Sequence, residues 1–342
     1  MGKHEKSKKT RTKKRKSKIV ILIIILLIIA AFLYIKSRYN YEKLNLDQIG
    51  INENTNYTGN IARDKYINIA LFGVDSRKNT WSGLSDSIMV LTLDYEHKEI
   101  KMTSFMRDSL VKIEGHGYEK QTHAHSYGGA QLAVKTLNTN YDLDIKHFVT
   151  INFSGMEKIV NRIGGVTVNV KKNEIDEINK YIKELNKING GKEVEGLTKE
   201  GKQTISGRQA VAYARIRKVG NGDAARTDRQ REVLEQVMEK LFKLSHTELV
   251  SLANEFMPYV KTSFTIKDIM NTASDFNTFK NAKRSEFRSP EKYVGAKVNG
   301  ASVVKPDTLE SNVKALYNFI YGIDDYEVSN TVKEISEEIK KK

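Results

Sequence analysis

The chain has 342 residues, 39% of them apolar, so it can bury a sizeable core in one large or two ordinary domains. It has no cysteine, which excludes a disulfide framework and a thiolate metal site. The net charge is +15, but residues 1–18 hold ten Lys or Arg and one Glu and so carry +9 of it, leaving +6 for the rest.

The N-terminus has the pattern of a membrane anchor. Residues 1–18 are too charged to fold, and residues 19–36 follow as a predicted transmembrane helix, almost wholly apolar (IVILIIILLIIAAFLYI). Positive charge before this run places the tail in the cytoplasm and the remaining chain outside. A cleaved signal peptide is the alternative, but the residues after the run suit cleavage poorly. We expect a single-pass protein of the cell membrane, with a basic tail that binds anionic lipid headgroups.

The remaining chain divides by composition. Residues 37–62 are polar and rich in Asn, which is typical of a linker with little structure. Residues 63–322 are predicted to form one extracytoplasmic domain. Residues 323–342 are predicted to form a charged tail, whose amphipathic end from residue 327 is expected to be exposed. Within the domain, residues 172–199 have the pattern of a charged helix and a Gly-rich loop, either a lid or an insertion.

Three short apolar segments predict the first strands of the domain, at residues 67–74, 87–93 and 99–105. The second and third are close enough for a hairpin. If the first also runs antiparallel to the second, five charged residues converge at one edge of the sheet: Asp75, Arg77, Asp86, Arg107 and Asp108. Paired carboxylates suit a hard cation such as Mg²⁺, and arginines suit phosphate oxygens. A surface network of ion pairs is the alternative for any one of them.

Helices and strands then alternate. The pattern predicts a helix at 130–138, a strand at 148–152, a helix at 155–163 capped by Ser154, and a strand at 166–170. This alternation favours an α/β fold, an αβα sandwich with a central mixed β-sheet. His123 and His125 are two residues apart, but no third ligand lies nearby, so hydrogen bonding near a helix start is favoured over zinc.

The most basic stretch of the domain is residues 212–231 (AYARIRKVGNGDAARTDRQR), which we call the arginine segment. Arg215 and Arg217 would share one side of an extended chain, and the turn after them contains two glycines. Asp223 is the predicted N-cap of a helix running to about residue 244. Arg226, Arg229 and Gln230 would share one face of its first turns, where the helix dipole also favours a phosphate or pyrophosphate. Neither a P-loop nor a dinucleotide motif is present.

Taken in order, these segments resemble the LytR-CpsA-Psr family over roughly residues 66–235. The matching segments are NIALFGVDSR, SDSIMVLTLD, SFMRDSLVKI, the YGG segment, NFSGMEKIVNRIGGVTVNV, and SGRQAVAYARIRK with GDAARTDRQR. The resemblance implies an α/β sandwich with a long apolar pocket for a polyprenyl tail, assisted by Mg²⁺ or another divalent ion such as Mn²⁺. It implies an enzyme that transfers a phosphate-linked glycopolymer, such as teichoic acid or capsule, from a polyprenyl-pyrophosphate carrier to peptidoglycan.

The resemblance also implies a role for each matching residue. The metal-associated aspartates are Asp75 and Asp86. The pyrophosphate-binding arginines are Arg107, Arg215, Arg217 and Arg226. Residues that fit the wider pyrophosphate site are Arg77, Asp108, Asp223, Arg229 and Gln230. The expected catalytic residues are Asp75, Arg107, Arg215 and Arg217, with Asp75 favoured as the base.

Two other functions fit the same pattern. A hydrolase of the polyprenyl-pyrophosphate glycan would use the same residues, with water replacing the sugar hydroxyl. A non-catalytic membrane-anchored regulator is the second. A DNA-binding regulator needs a cytoplasmic reading domain, and only residues 1–18 are expected there, so we expect no nucleic-acid partner.

Overall fold

The computed structural model describes residues 39–52, 65–74, 81–220, 222–241, 243–265, 267–268, 276–279 and 282–342. The predicted cytoplasmic tail, the apolar run, Asp75 and Arg77 lie outside these ranges. Within them, no helix combines the length and apolar character needed to cross a bilayer. Residues Tyr41–Lys342 group as one unit, and the elements described below belong to it.

Twelve strands and nine α-helices are assigned within the described residues. The strands are β1 Tyr66–Val74, β2 Ser85–Asp94, β3 Glu99–Phe105, β4 Leu110–Ile113, β5 Gly117–Lys120, β6 His147–Asn152, β7 Val166–Val170, β8 Gly201–Ile205, β9 Val260–Thr262, β10 Lys283–Ser289, β11 Tyr293–Val298 and β12 Ala301–Pro306. The helices are α1 Gln121–Tyr141, α2 Phe153–Arg162, α3 Ile175–Asn189, α4 Gly207–Tyr213, α5 Asp223–Leu241, α6 His246–Phe256, α7 Phe276–Phe279, α8 Leu309–Tyr321 and α9 Asn330–Lys341.

The central sheet has six strands in the order β10-β3-β2-β1-β6-β9. Strand β2 runs antiparallel to both β1 and β3. This confirms the predicted hairpin and fulfils the condition on which the convergence of charged residues at one edge depended. The pairs β1–β6 and β3–β10 are parallel, and β6–β9 is antiparallel. The sheet is therefore mixed, as predicted.

Helices cover both faces of this sheet because alternate residues of each strand point to opposite sides. On one face, Ala70, Phe72 and Val90 pack in a core shared with α1, α8 and α9. On the other, Ile69 and Leu91 pack with the α7 side chain Phe279 and with the α5 side chain Met238. The layers are those of an αβα sandwich.

A second core lies beside the sheet and holds the arginine segment. It joins α2, β7, α3, β8, α4 and part of α5 through buried residues such as Ile178, Ile182 and Val211. The predicted strand at 166–170 is present as β7, but it pairs with β8 in a sheet of its own. Helix α4 packs closely on α2 at Gly207. A Cβ at this position would lie 1.9 Å from the carbonyl oxygen of Glu157, so the close approach depends on glycine.

The predicted exposed C-terminal tail is wrong. Helix α9 buries Val332, Ile335 and Ile339 in the main core, and Asp142 accepts hydrogen bonds from the backbone and the hydroxyl of Ser329 just before it. Apolar residues at helical spacing outweigh the high charge of this stretch, because their burial is what stabilises a surface helix.

Two further expectations differ in detail. The predicted linker is structured in its described part, since Leu44 and Ile49 are buried in the main core. The start of α2 is capped by Asn152, whose side-chain oxygen accepts from the Gly155 backbone at 2.8 Å, and not by Ser154.

Candidate functional site

The first half of the site comes from the edge of the central sheet, and we call Asp86, Arg107 and Asp108 the strand half. Ile88 pairs with Phe105 in the antiparallel β2–β3 ladder, so Asp86, two residues earlier, lies opposite Arg107, two residues later. Arg107 Nη1 donates to Asp86 Oδ1 at 2.5 Å, and both side chains are 13% exposed. The predicted convergence at this edge therefore holds for these residues.

Asp108 pairs with Lys120 and Arg107. Its carboxylate lies 3.0 Å from Lys120 Nζ and 3.7 Å from Arg107 Nε, so Arg107 has a carboxylate partner besides Asp86. Strand β1 ends at Val74, which pairs with Ser85, the residue before Asp86. The side chains of Asp75 and Arg77 lie outside the described residues.

The arginine segment forms the second half. Residues 214–220 form neither helix nor strand, so Arg215 and Arg217 lie on an irregular stretch of this described part of the chain. The two arginines nevertheless open onto one cavity of about 180 Å³. The cavity is lined by Asp86, Tyr181, Arg215, Arg217, Arg226 and Gln230. Arg217 Nη2 lies 3.6 Å from Asp86 Oδ2, so the two halves meet at this carboxylate.

Helix α3 supplies contacts that the sequence did not predict. The guanidinium of Arg215 lies 5.0 Å from the ring centroid of Tyr181 on α3 and 5.2 Å from that of Phe153, the first residue of α2, both within cation–π range. Glu184, also on α3, lies 3.4 Å from Arg215 Nη2. Residues 172–189 thus form part of the wall of the site. The only sequence signal was the i, i+3 spacing of Tyr181 and Glu184 on one helix.

Helix α5 supplies Arg226 and Gln230, which are one helical turn apart and both line the cavity. Arg226 is 1% exposed. A charge in such a setting attracts an anion more strongly than the same charge in water, because little solvent screens it. Asp223 is the first residue of α5, but its side chain is outside the description.

Arg229 lies on α5 as predicted but does not line the cavity. It is 6% exposed, and its Nε and Nη2 donate to Glu174 Oε1 at 3.0 and 2.8 Å. The buried carboxylate of Glu174 draws the guanidinium away from the face shared by Arg226 and Gln230. The placement differs from the expected pyrophosphate contact.

The net charge of the site favours an anion. Asp86 is the one carboxylate among the described cavity residues, and it faces Arg107 and Arg217, with Arg215 and Arg226 beside them. Guanidinium groups match phosphate oxygens in bidentate fashion. The arrangement is therefore chemically suited to a phosphate or pyrophosphate group.

The two histidines of α1 make hydrogen bonds. His125 Nδ1 lies 3.1 Å from the carbonyl oxygen of Gly83, and the Thr122 hydroxyl donates to that of Ser85, so α1 holds the chain just before Asp86. Burial lowers the pKa of His125, which keeps it neutral near pH 7. His123 Nδ1 lies 3.0 Å from Glu119. Across the described ranges, no three metal-ligating side chains group together.

Sequence comparison identifies relatives of this chain. A model of the LytR_cpsA_psr family matches residues 31–317. The polyisoprenyl-teichoic acid–peptidoglycan teichoic acid transferase TagT of Bacillus subtilis (strain 168) is 37% identical over 181 residues, 52% of this chain and 53% of TagT. The corresponding transferase TagU of Halalkalibacterium halodurans is 36% identical over 187 residues, 54% of this chain and 56% of TagU. The chain thus matches about half the length of each curated relative.

Structure comparison agrees. The solved structure of YwtF (TagT), a LytR-CPS2A-psr family protein of Bacillus subtilis, with bound octaprenyl pyrophosphate lipid, superposes with a TM-score of 0.60 at 27% identity. The superposition covers 83% of this chain and all of that chain.

Proposed function

The chain belongs to the LytR-CpsA-Psr family, and from this premise we propose that it is a phosphotransferase acting on a polyprenyl-pyrophosphate-linked glycopolymer. Peptidoglycan is the acceptor. The polymer is a phosphate-linked one such as teichoic acid, which the names of the relatives TagT and TagU specify, with capsule as another member of this class. The observation that carries the proposal is the single cavity at which Asp86 meets Arg215, Arg217 and Arg226.

Charge placement explains how such a site would work. Arg215, Arg217 and Arg226 bind the pyrophosphate oxygens, and Arg107 reaches the same group across Asp86. An acceptor hydroxyl oxygen forms a bond to the polymer-side phosphorus, the bond from that phosphorus to the bridging oxygen breaks, and polyprenyl phosphate leaves. Preorganised cations stabilise the charge that develops on the transferred group, which supplies most of the acceleration in phosphoryl transfer.

The hydroxyl proton must go to a base, for which we propose Asp75. Strand β1 ends one residue before Asp75, opposite Ser85 and next to Asp86. The support is this closeness along the chain, since Asp75 directly follows Val74.

Mg²⁺ fits this site by ligand type, since Asp75 and Asp86 would supply carboxylate oxygens. Asp86 faces two guanidinium groups in the structure, so it would give up part of these contacts to hold the ion. When bound, the ion would neutralise phosphate charge alongside the arginines. Mn²⁺ is an alternative ion of the same ligand preference.

We also propose that the protein is anchored in the cell membrane by residues 19–36, with residues 1–18 in the cytoplasm and the domain outside. The support is the length of the apolar run and the basic charge before it. This topology places the site on the side where peptidoglycan lies.

The direct test uses the full chain in detergent, a polyprenyl-pyrophosphate oligosaccharide and peptidoglycan oligomers, with mass spectrometry of the products. We expect a glycan joined to peptidoglycan through a phosphodiester. Free phosphorylated glycan without the linked product would show a hydrolase instead.

Arg217→Ala and Asp75→Ala should each abolish most transfer. Arg162→Ala, at an exposed ion pair, is the control. Full transfer by both site variants would disprove the mechanism.

A further inference from the structure

A buried ion pair just outside the cavity bears on how the arginine segment is held. The side chains of Arg229 and Glu174 are 7% and 2% exposed, and two nitrogens of the guanidinium donate to the same carboxylate oxygen. Burying two charges is costly, and such a pair is weak evidence of a gain in stability. Its place in the structure indicates a different role.

The same guanidinium also holds the main chain on both sides of Arg217. Arg229 Nη1 donates to the carbonyl of Ile216 at 3.1 Å, and Nη2 donates to that of Val219 at 2.9 Å. Residues 216–219 belong to no helix or strand, so no regular ladder holds them. One rigid, planar group therefore supplies the hydrogen bonds that secondary structure supplies elsewhere.

Glu174 is itself firmly placed. It ends the 3₁₀ turn Lys172–Glu174, and its Oε2 accepts from the backbone of Lys171 at 2.9 Å. Helix α3 begins at the next residue and carries Tyr181 and Glu184, which contact Arg215. Residues 172–184 thus contact Arg215 directly and reach the chain around Arg217 through Arg229.

We propose that Glu174 and Arg229 are positioning residues that fix Arg217 at the cavity and do not themselves contact the anion. The proposal rests on the proposed function, because it takes pyrophosphate as the ligand of the cavity. It reassigns Arg229 from ligand contact to support of the chain that presents Arg217. It also makes residues 172–189 a scaffold of the site.

The chain contains a matched control for a purely structural ion pair. Arg208 lies 2.9 Å from Glu157, with side chains 6% and 12% exposed, and it also donates to the carbonyls of Gly190 and Lys192. Its partners and burial therefore resemble those of Arg229, but it does not line the cavity. Arg208→Lys removes the planar fork as Arg229→Lys does, without touching the chain around Arg217.

The test compares full-length wild type, Arg229→Lys, Arg208→Lys, Arg217→Ala and the Arg229→Lys/Arg217→Ala double variant. Hydrogen exchange reports the main chain, calorimetry reports binding of inorganic pyrophosphate, and the transfer assay reports kcat/KM. We expect faster exchange at residues 216–220 in Arg229→Lys and not in Arg208→Lys. We expect kcat/KM and pyrophosphate affinity to fall roughly 10- to 100-fold in Arg229→Lys, as for a small misplacement of a binding group.

The double variant separates positioning from general damage. If Arg229 acts through Arg217, adding Arg229→Lys to Arg217→Ala costs little more, since coupled residues are not additive. Additive losses, or losses equal to those of Arg208→Lys, overturn the proposal. Unchanged hydrogen exchange at residues 216–220 also overturns the proposal.

Glu174→Asp, which keeps the charge but shortens the side chain, replaces Arg229→Lys if that variant fails to fold. A wild type that binds and transfers nothing overturns the proposed function, and the exchange data then decide the positioning role alone.

Discussion

The two halves of the site are held in place by different means. Asp86 and Arg107 are placed by the β2–β3 ladder, in which backbone hydrogen bonds set which residues face each other. Arg215 and Arg217 lie on an irregular stretch placed by side chains from α3 and α5. The β2–β3 ladder is held by many backbone hydrogen bonds, whereas the irregular stretch is held by a few buried side-chain contacts. Single substitutions should therefore disturb the second half more easily than the first.

The largest effect is expected from removing a charge of the strand half. Arg107→Ala leaves Asp86 with Arg217 at 3.6 Å as its remaining described partner and removes one cation from the site. We expect kcat/KM for polymer transfer to fall roughly 100- to 1000-fold, the cost of losing one preorganised donor. Steady-state kinetics with the oligosaccharide donor measure this. A rate within a few-fold of wild type would remove Arg107 from the site.

A pair of identical core truncations compares the two supports directly. Ile88 lies in β2 and Ile182 in α3, with exposures of 3% and 1%. Ile88→Ala and Ile182→Ala should each lower the free energy of unfolding by about 2–5 kcal/mol. In the folded fraction, Ile182→Ala should also raise KM, because α3 carries Tyr181, while Ile88→Ala leaves KM near wild type.

Denaturant unfolding and kinetics on the same samples give both readouts. Equal KM values for Ile88→Ala and Ile182→Ala would show that the two halves are held equally well.

A smaller effect should follow the protonation of His125, which supports the strand half through Gly83. Burial lowers the pKa of His125 in the folded state, so below about pH 6.5 the unfolded chain takes up a proton that the folded chain resists. The free energy of unfolding should therefore fall as the pH drops from about 6.5 toward the folded pKa. His125→Gln, a neutral donor at every pH, should flatten this slope.

Thermal unfolding measured from pH 7.5 to 5 tests the role of His125. Some slope should persist in His125→Gln, because burial also lowers the pKa of His147. A variant with the full wild-type slope would contradict the prediction.

The smallest effect is expected at a surface ion pair whose residues do not line the cavity. Arg162 and Glu255 lie 3.1 Å apart, with side chains 48% and 52% exposed. Arg162→Ala should change the free energy of unfolding by less than about 1 kcal/mol and leave kcat/KM unchanged. A large loss of activity would mean that the site extends beyond the two halves.

Much of the strand half could be predicted from local pattern. Three apolar runs and a short connection were enough to predict antiparallel pairing, and the pairing places Asp86 against Arg107. The same method failed at the C-terminus, where the sequence shows the amphipathic pattern of α9 but its high charge favoured an exposed tail. It also misplaced the cap of α2, because Asn152 and Ser154 are both good capping residues and only the chain direction after β6 selects one.

The arginine segment shows what composition and spacing determine by themselves. They identify a stretch of five arginines, a turn with glycines and the start of a helix, and so an affinity for a polyanion. They cannot say which arginine faces the ligand. Tyr181, Glu184 and Glu174 lie some 30 to 55 residues earlier in the chain, and no local spacing encodes a contact across that distance. Tertiary packing alone turned Arg215, Arg217 and Arg226 toward the cavity and Arg229 away from it. Arg229 is buried where the carboxylate of Glu174 and the carbonyls of Ile216 and Val219 accept its hydrogen bonds, as a buried charge requires.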